Sequence, residues 1–160
     1  MKVVAAVALG SNLDSAAGDR AANLRDAIER VGALGRVTAV SSFYDTAPVG
    51  YLEQPRFLNG ALLLETELAP LELLRGLLTV ERTMGRDRAA TVAKGPRVID
   101  LDLLLMGDRV METVELTLPH PAMRERRFVL EPLAEIAAGM VDPVTRTTVA
   151  EMLDLVRARD

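Results

Sequence analysis

The sequence predicts an α+β fold with a βαββαβ core and a C-terminal extension of a short strand and helices, and three observations carry that prediction. Apolar runs rich in Val, Leu and Ile recur at 2–9, 36–44, 57–68 and 95–105 and read as strands. Between the first and second runs, and again between the third and fourth, apolar residues fall at three- and four-residue spacing, the period of a helix. Glycine and proline clusters separate the segments. The resulting order is the split-βαβ, ferredoxin-like arrangement, with the first and fourth strands pairing at the centre.

Each element has its own warrant. Lys2 to Leu9 is β-branched and apolar and stops at Gly10-Ser11-Asn12, which reads as a strand-to-helix turn capped by Ser11 and Asn12. From about Ala16 to Leu34, Leu24, Ala27, Ile28, Val31 and Leu34 line one helix face. Arg36 to Tyr44 is rich in Val, Thr and Ser and predicts a strand; Thr46 to Arg56 carries Pro48, Gly50 and Pro55 and predicts an exposed loop. Phe57 to Leu68 is the third strand, and Pro70 suits the first turn of a helix running to about Met84. After an irregular stretch, Gly85 to Pro96, comes the fourth strand in GPRVIDLDLLL. Beyond Gly107-Asp108, a short strand near Val114 to Leu118, a Pro119-His120-Pro121 loop, and helices near Val129 to Ala138 and Thr147 to Arg157 complete the chain.

A chain of 160 residues makes one domain, 1–160, and buries roughly 68–70% of the surface its unfolded form exposes. It has no cysteine and a single histidine, so neither a disulfide framework nor a multi-histidine zinc site is available, and any metal must sit mainly on oxygen ligands. The formal net charge of −4 comes from mixed charges, without the basic field that nucleic-acid binding requires. The N-terminal apolar stretch is short and runs straight into Gly10, Ser11 and Asn12, so it reads as a strand and not as a signal peptide. No apolar run reaches the ~18–20 residues of a membrane span, and a cytoplasmic monomer is expected.

Two acids interrupt the fourth strand. Asp100 and Asp102 alternate with apolar residues, so both project to one side of the strand, about 6.5–7 Å apart along the chain. A buried carboxylate survives only with water, cationic partners or metal ions in reach. A bare D-x-D more often means a wet strand face or acids paired with arginines; the sharper reading is a site for a hard cation such as Mg²⁺. Arg86 and Arg88, Lys94 and Arg97, and Arg124, Arg126 and Arg127 flank the acids in sequence. Each alone reads as a solvated charge, but acids beside loop arginines together describe a polyphosphate site. The Gly10-Ser11-Asn12 turn is neither a P-loop nor a G-x-G-x-x-G fingerprint.

Six segments, ALGSNL, SSFYDTAPVG, QPRFLNGALLLET, VERTMGR, GPRVIDLDLLLMG and LTLPHPAMRERRFVLEPLAEIAA, run in the order found in the 6-hydroxymethyl-7,8-dihydropterin pyrophosphokinases. The chain resembles that family over about residues 3 to 143. The resemblance implies transfer of the pyrophosphoryl group of ATP to the hydroxyl of 6-hydroxymethyl-7,8-dihydropterin, releasing AMP, in folate biosynthesis. It implies that Asp100 and Asp102 hold two Mg²⁺ ions bridging the ATP phosphates, and that Arg97 and Arg86 join them as catalytic residues.

By the same resemblance, Thr46, Val49, Phe57, Asn59 and Phe128, with Asp100, form the pterin site. Phe57 and Phe128 would be its two stacking walls, a large share of a chain with three Phe, two Tyr and no Trp. Glu81, Arg86, Arg97, His120 and Arg126 would contact ATP. Lys94 stands where many members have tryptophan, the 85–96 loop is a residue longer, and Pro121 replaces a tyrosine found in some. No general base stands out: a metal-bound Asp102 is a weak base, and His120 is the one histidine. Two other readings compete, a metal-dependent phosphohydrolase and a non-catalytic ferredoxin-like ligand-binding module. The second would want basic, aromatic-rich sheet faces if its ligand were RNA.

Overall fold

The computed structural model describes residues 1–48, 52–86 and 96–159. Its elements run β1 (Val3–Ser11), α1 (Arg20–Val31), β2 (Arg36–Val40), β3 (Tyr44–Thr46), β4 (Phe57–Thr66), α2 (Pro70–Thr83), β5 (Asp100–Met106), β6 (Met111–Glu112), β7 (Thr117–Leu118), α3 (Arg127–Ala137) and α4 (Val149–Arg159). The described residues form a mixed fold of a main antiparallel sheet and four α-helices. The main sheet has the order β2-β4-β1-β5, with β3 pairing β4, and β6 and β7 form a separate two-stranded ribbon.

Local chemistry accounts for the ends of these elements. Asp19 caps α1, its carboxylate accepting from Ala22 N at 2.9 Å and so satisfying an amide that the first turn leaves open. The expected helix from Ala16 therefore starts at Arg20, and its last residues, Gly32–Leu34, tighten into a 3₁₀ turn. Pro70 opens α2 as predicted, and Glu72 reaches back to Ala69 N at 2.9 Å. The expected single strand over 36–44 breaks at Ser41, whose side chain accepts from Ala61 N at 2.9 Å, and the chain resumes pairing as β3. Of the strand expected over 114–118 only β7, Thr117–Leu118, forms, paired with β6 upstream of that range, because Thr113 Oγ1 and Leu116 bond each other and turn the chain between them.

β1 is buried along most of its length because helices cover both faces of the sheet. Ala5, Val7 and Leu9 pack with Leu24, Ala27 and Val31 of α1 and Leu73, Leu77 and Val80 of α2. Ala6 and Ala8 face the other way, toward Val129, Leu130 and Leu133 of α3 and Met152, Leu153 and Val156 of α4. Period-two alternation thus feeds two separate cores.

β5 pairs with β1, but it is the outermost strand and not a central one. Its outer edge is covered: His120 N donates to Leu104 O at 2.9 Å, and a Glu81 carboxylate oxygen accepts from Leu101 N at 2.8 Å, which removes the unpaired edge that invites aggregation. Pairing skips one residue on β5, with Ala6 opposite Leu105 and Val7 opposite Leu103. The bulge lets Leu104 and Leu105 both join the α3–α4 core. Among the described residues no helix is long and apolar enough to cross a membrane.

Candidate active site

Strand register builds the site. Gly10 of β1 lies opposite Asn59 on β4 and opposite Asp100 on β5, so Asn59, Gly10 and Asp100 form one row across three strands. Ala8 lies opposite Asp102 one step along the same face. Because Leu101 and Leu103 belong to the α1–α2 core and Ala8 to the α3–α4 core, both acids point to the side that α3 and α4 cover. Small residues at Ala8 and Gly10 leave space there, and a cleft of about 140 Å³ opens over the row. Thr46, Phe57, Asn59, Arg97, Asp100, Asp102, Arg126 and Phe128 all line it.

The aromatic rings come from different elements, Phe57 from the first residue of β4 and Phe128 from the first turn of α3. Each carries a guanidinium: Arg97 sits 5.1 Å from the Phe57 centroid and Arg126 5.7 Å from that of Phe128, within cation–π range. Asn59 is buried, and its amide donates to Thr46 Oγ1, which binds the floor of the cleft to the short strand β3.

The acids differ in their surroundings. Asp100 is clamped by two arginines: Arg86 Nη1 lies 2.7 Å from one carboxylate oxygen and Arg97 Nη1 3.1 Å from the other. Asp102 faces His120, with Nε2 3.9 Å from Oδ1. His120 Nδ1 accepts from Ala122 N at 3.2 Å, so the neutral ring carries its proton on Nε2 and presents a donor toward Asp102. Burial holds this imidazole below its ordinary pKa; the Arg126 charge acts in the same direction and Asp100 opposes it.

Three of the expected residues lie outside the cleft lining. Arg86 reaches it only through Asp100, and His120 sits beside Asp102. Glu81 is buried at 1% exposure, its carboxylate on the edge of β5. Val49, Arg88 and Lys94 lie outside the described residues.

Asn12, read from sequence as a turn cap, does something else. Its side-chain oxygen accepts from Arg97 N at 2.8 Å, its amide donates to Gln54 Oε1 at 2.9 Å and Pro55 O at 3.0 Å, and its own N–H donates to Arg97 O at 3.1 Å. It pins the segment carrying Arg97 to the loop before β4. Gly10, expected in a turn, lies inside β1 and faces Asn59 and Asp100 across the strands. The only signal for either was the motif's place at the end of an apolar strand.

The donor set suits a metal only in part. Among the described residues no cluster of three or more His, Cys, Asp or Glu exists, so protein alone does not close a cage. Two carboxylates on one strand face do suit a hard cation whose remaining ligands are water and substrate oxygens.

Comparison with known proteins accounts for this combination. A profile of the 7,8-dihydro-6-hydroxymethylpterin-pyrophosphokinase (HPPK) family matches residues 6–138. The chain belongs to the HPPK family. It is 48% identical over 138 residues to 2-amino-4-hydroxy-6-hydroxymethyldihydropteridine pyrophosphokinase of Bacillus subtilis, covering 85% of this chain and 79% of that one. It is 40% identical over 153 residues to folic acid synthesis protein fol1 of Schizosaccharomyces pombe, covering 94% of this chain but only 20% of the fungal protein. Its fold is similar to wild-type Plasmodium falciparum HPPK-DHPS, with a TM-score of 0.73 at 13% identity, over 99% of this chain and 45% of the plasmodial one. HPPK sequences thus occur both in proteins of about this length and as a fraction of much longer ones.

Proposed function

We propose that this HPPK chain transfers the pyrophosphoryl group of ATP to the hydroxyl of 6-hydroxymethyl-7,8-dihydropterin and releases AMP, supplying the activated pterin for folate biosynthesis. The observation that carries this reading is the row Asn59–Gly10–Asp100. It sets an amide and two aromatic rings, a slot for a flat heterocycle, beside two carboxylates and Arg97, a setting for phosphates. In this reading Phe57 and Phe128 stack the pterin, adding about 0.5–1.5 kcal/mol beyond area burial, and Asn59 and Thr46 bond its edge.

The reaction is in-line: the pterin oxygen bonds to the β-phosphorus as the bond from that phosphorus to the oxygen of the AMP leaving group breaks. Catalysis is then mainly positioning and charge neutralisation. Asp100 and Asp102 would hold Mg²⁺, which when bound neutralises phosphate charge and orients the chain of phosphates. Arg97 and Arg126 extend over the aromatic rings into the cleft and meet phosphate oxygens with forked donors. His120, protonated on Nε2, donates to phosphate and is not the base. A carboxylate that holds Mg²⁺ is a weak base, so neither Asp100 nor Asp102 is assigned the hydroxyl proton.

The strand order β2-β4-β1-β5, with β3 continuing β2, supports a ferredoxin-like βαββαβ core. Residues 1–160 would act as one domain, as a monomer in the cytoplasm.

The test is to incubate the protein with ATP, Mg²⁺ and 6-hydroxymethyl-7,8-dihydropterin and follow nucleotides. AMP formed only when pterin is present is the expected result. ADP or phosphate released regardless of pterin would overturn the reading in favour of a phosphohydrolase.

A further inference from the structure

Glu81 occupies a place that a nucleotide ligand would not. It lies near the C-terminal end of α2, at 1% exposure, and one carboxylate oxygen, Oε2, takes two donors: Leu101 N at 2.8 Å and Arg86 Nη1 at 2.9 Å. Leu101 is the residue between the two acids. Since β5 is the outermost strand, the amide of Leu101 has no strand neighbour on that side among the described residues. The carboxylate stands in for the missing carbonyl and holds the edge of the Asp100–Leu101–Asp102 stretch against α2.

The same oxygen fixes Arg86. Arg86 Nη1 also donates to Ile99 O at 3.1 Å and to Asp100 Oδ1 at 2.7 Å, and Arg86 N donates to Glu81 O at 3.0 Å. Arg86 is therefore tied to Glu81 through both its backbone and its guanidinium, and to Ile99 and Asp100 just before Leu101. Arg86 Nε is buried without a hydrogen-bond partner, a costly arrangement. That position is not one the guanidinium would adopt for its own solvation; the acceptors gathered at Nη1 hold it there.

We infer that Glu81 is a positioning residue: it fixes the two-aspartate strand at Leu101 and seats Arg86 on Asp100, and it does not contact nucleotide. A carboxylate offered to phosphates would repel them, whereas one buried behind the strand screens Arg86 and orders the acids in front of it. The kinetic part of this inference rests on the pyrophosphoryl-transfer reading; the structural part does not.

Two variants test it, Glu81→Ala and Glu81→Gln. In Glu81→Ala the amide of Leu101 loses its acceptor, so its hydrogen exchange, measured by NMR on the protein alone, should speed up at least about tenfold while Val7 in β1 stays protected. In Glu81→Gln the side-chain oxygen still accepts from Leu101 but no longer carries charge for Arg86. Protection should persist, and kcat should fall roughly 100-fold, the scale of a misplaced catalytic group, with KM for ATP within about threefold.

Unchanged exchange at Leu101 in the alanine variant would overturn the inference. So would a KM for ATP raised about tenfold or more in either variant with kcat intact, the signature of lost ground-state binding. If the alanine variant does not fold, the near-isosteric glutamine variant decides alone: normal kcat overturns the inference, and reduced kcat at normal KM supports it. If the wild-type protein forms no pterin-dependent AMP, the transfer reading has failed, and Leu101 exchange still decides the structural role.

Discussion

The phenol of Tyr44 on β3 donates to Glu135 Oε1 on α3 at 2.7 Å. The other oxygen of Glu135 takes Ser42 N at 2.9 Å and Ser42 Oγ at 3.1 Å. One carboxylate thus straps the strand that ends in Thr46 to the helix whose first turn carries Phe128, and so joins two sides of the cleft.

Tyr44→Phe removes one bond of this strap. Because the pair is exposed, the loss of stability should be about 0.5–1 kcal/mol, with the larger effect on binding of pterin than of ATP. The pH dependence has two limits. The bond to Glu135, then burial, raises the Tyr44 phenol above its ordinary 10.0, so its contribution is present below that pH and lost as pH rises through the higher folded value. The bonds from Tyr44 and then Ser42 N lower Glu135 below its ordinary 4.5, so its contribution is present above that pH and lost as pH falls through the lower folded value. Denaturant titrations of wild type and Tyr44→Phe should differ most between these limits; no difference at pH 7 would show that the strap contributes nothing, and a difference unchanged by acidification far below 4.5 that the Glu135 charge plays no part in it.

Asp142 has no exposed surface and accepts from Arg124 Nε, and from Val144 N at 2.9 Å. Burial alone would raise its pKa, but the bonds from Arg124, Val144 and Thr145 outweigh that and hold it below 3.8. Its stabilising effect is therefore complete above that value and fades as pH falls through the lower folded pKa. Asp142→Asn should cost about 1.5–3 kcal/mol at pH 7, the range for hydrogen bonds to a charged group. The gap from wild type should narrow on acidification below 3.8; a constant gap in urea midpoints would disprove the linkage.

Gly10→Ala tests the row across the sheet. A Cβ at this position would lie 3.2 Å from Asn59 Oδ1 and 3.8 Å from Phe57 Cδ1, in the floor of the cleft. The fold should survive, while pterin binding weakens about tenfold or more, as a misplaced methyl group costs in a fitted pocket. Calorimetric titration with pterin reads this directly, and unchanged affinity would remove Gly10 from the site.

Asp100 and Asp102 should separate in their effect on stability. Asp100→Ala removes the carboxylate shared by Arg86 and Arg97, whose side chains are only 8% and 14% exposed, while Arg86 keeps Glu81, at a cost of about 1.5–3 kcal/mol, the range for hydrogen bonds to a charged group. Asp102 is 30% exposed and the neutral His120 ring it faces is 3.9 Å away, so Asp102→Ala should cost less, under about 1 kcal/mol. Both should lower turnover by orders of magnitude. Thermal melts separate the two roles: equal losses of stability would mean that the arginine clamp on Asp100 is not stabilising.

Helix two begins at Pro70 as its sequence predicts, and β1 and β4 lie close to their apolar runs, because proline placement and period-two patterning act within a few residues, whereas β2 stops at Val40 and β5 starts only at Asp100. Asp100 and Asp102 were legible for the same reason: alternation alone sends both side chains to one face. The place of Glu81 on the edge of β5 was not, because the helix must first pack against that strand. Asn12 reads as a cap until the loops at 54–55 and 97 arrive beside it.

What the sequence by itself determined about this protein is therefore local: which segments are strand or helix, which strand carries the paired acids, and which motifs mark the family. Only the tertiary structure decided that α3 and α4 cover the second sheet face and make β1 a strand buried on both sides. It also decided that β5 is an edge strand completed by a side chain, and that Asn59, Gly10 and Asp100 share one row. Register across strands and the satisfaction of an edge amide depend on groups far apart in the chain, such as Gly10 and Asp100 on neighbouring strands and Glu81 and Leu101 at the sheet edge. No periodicity within one segment encodes such distances.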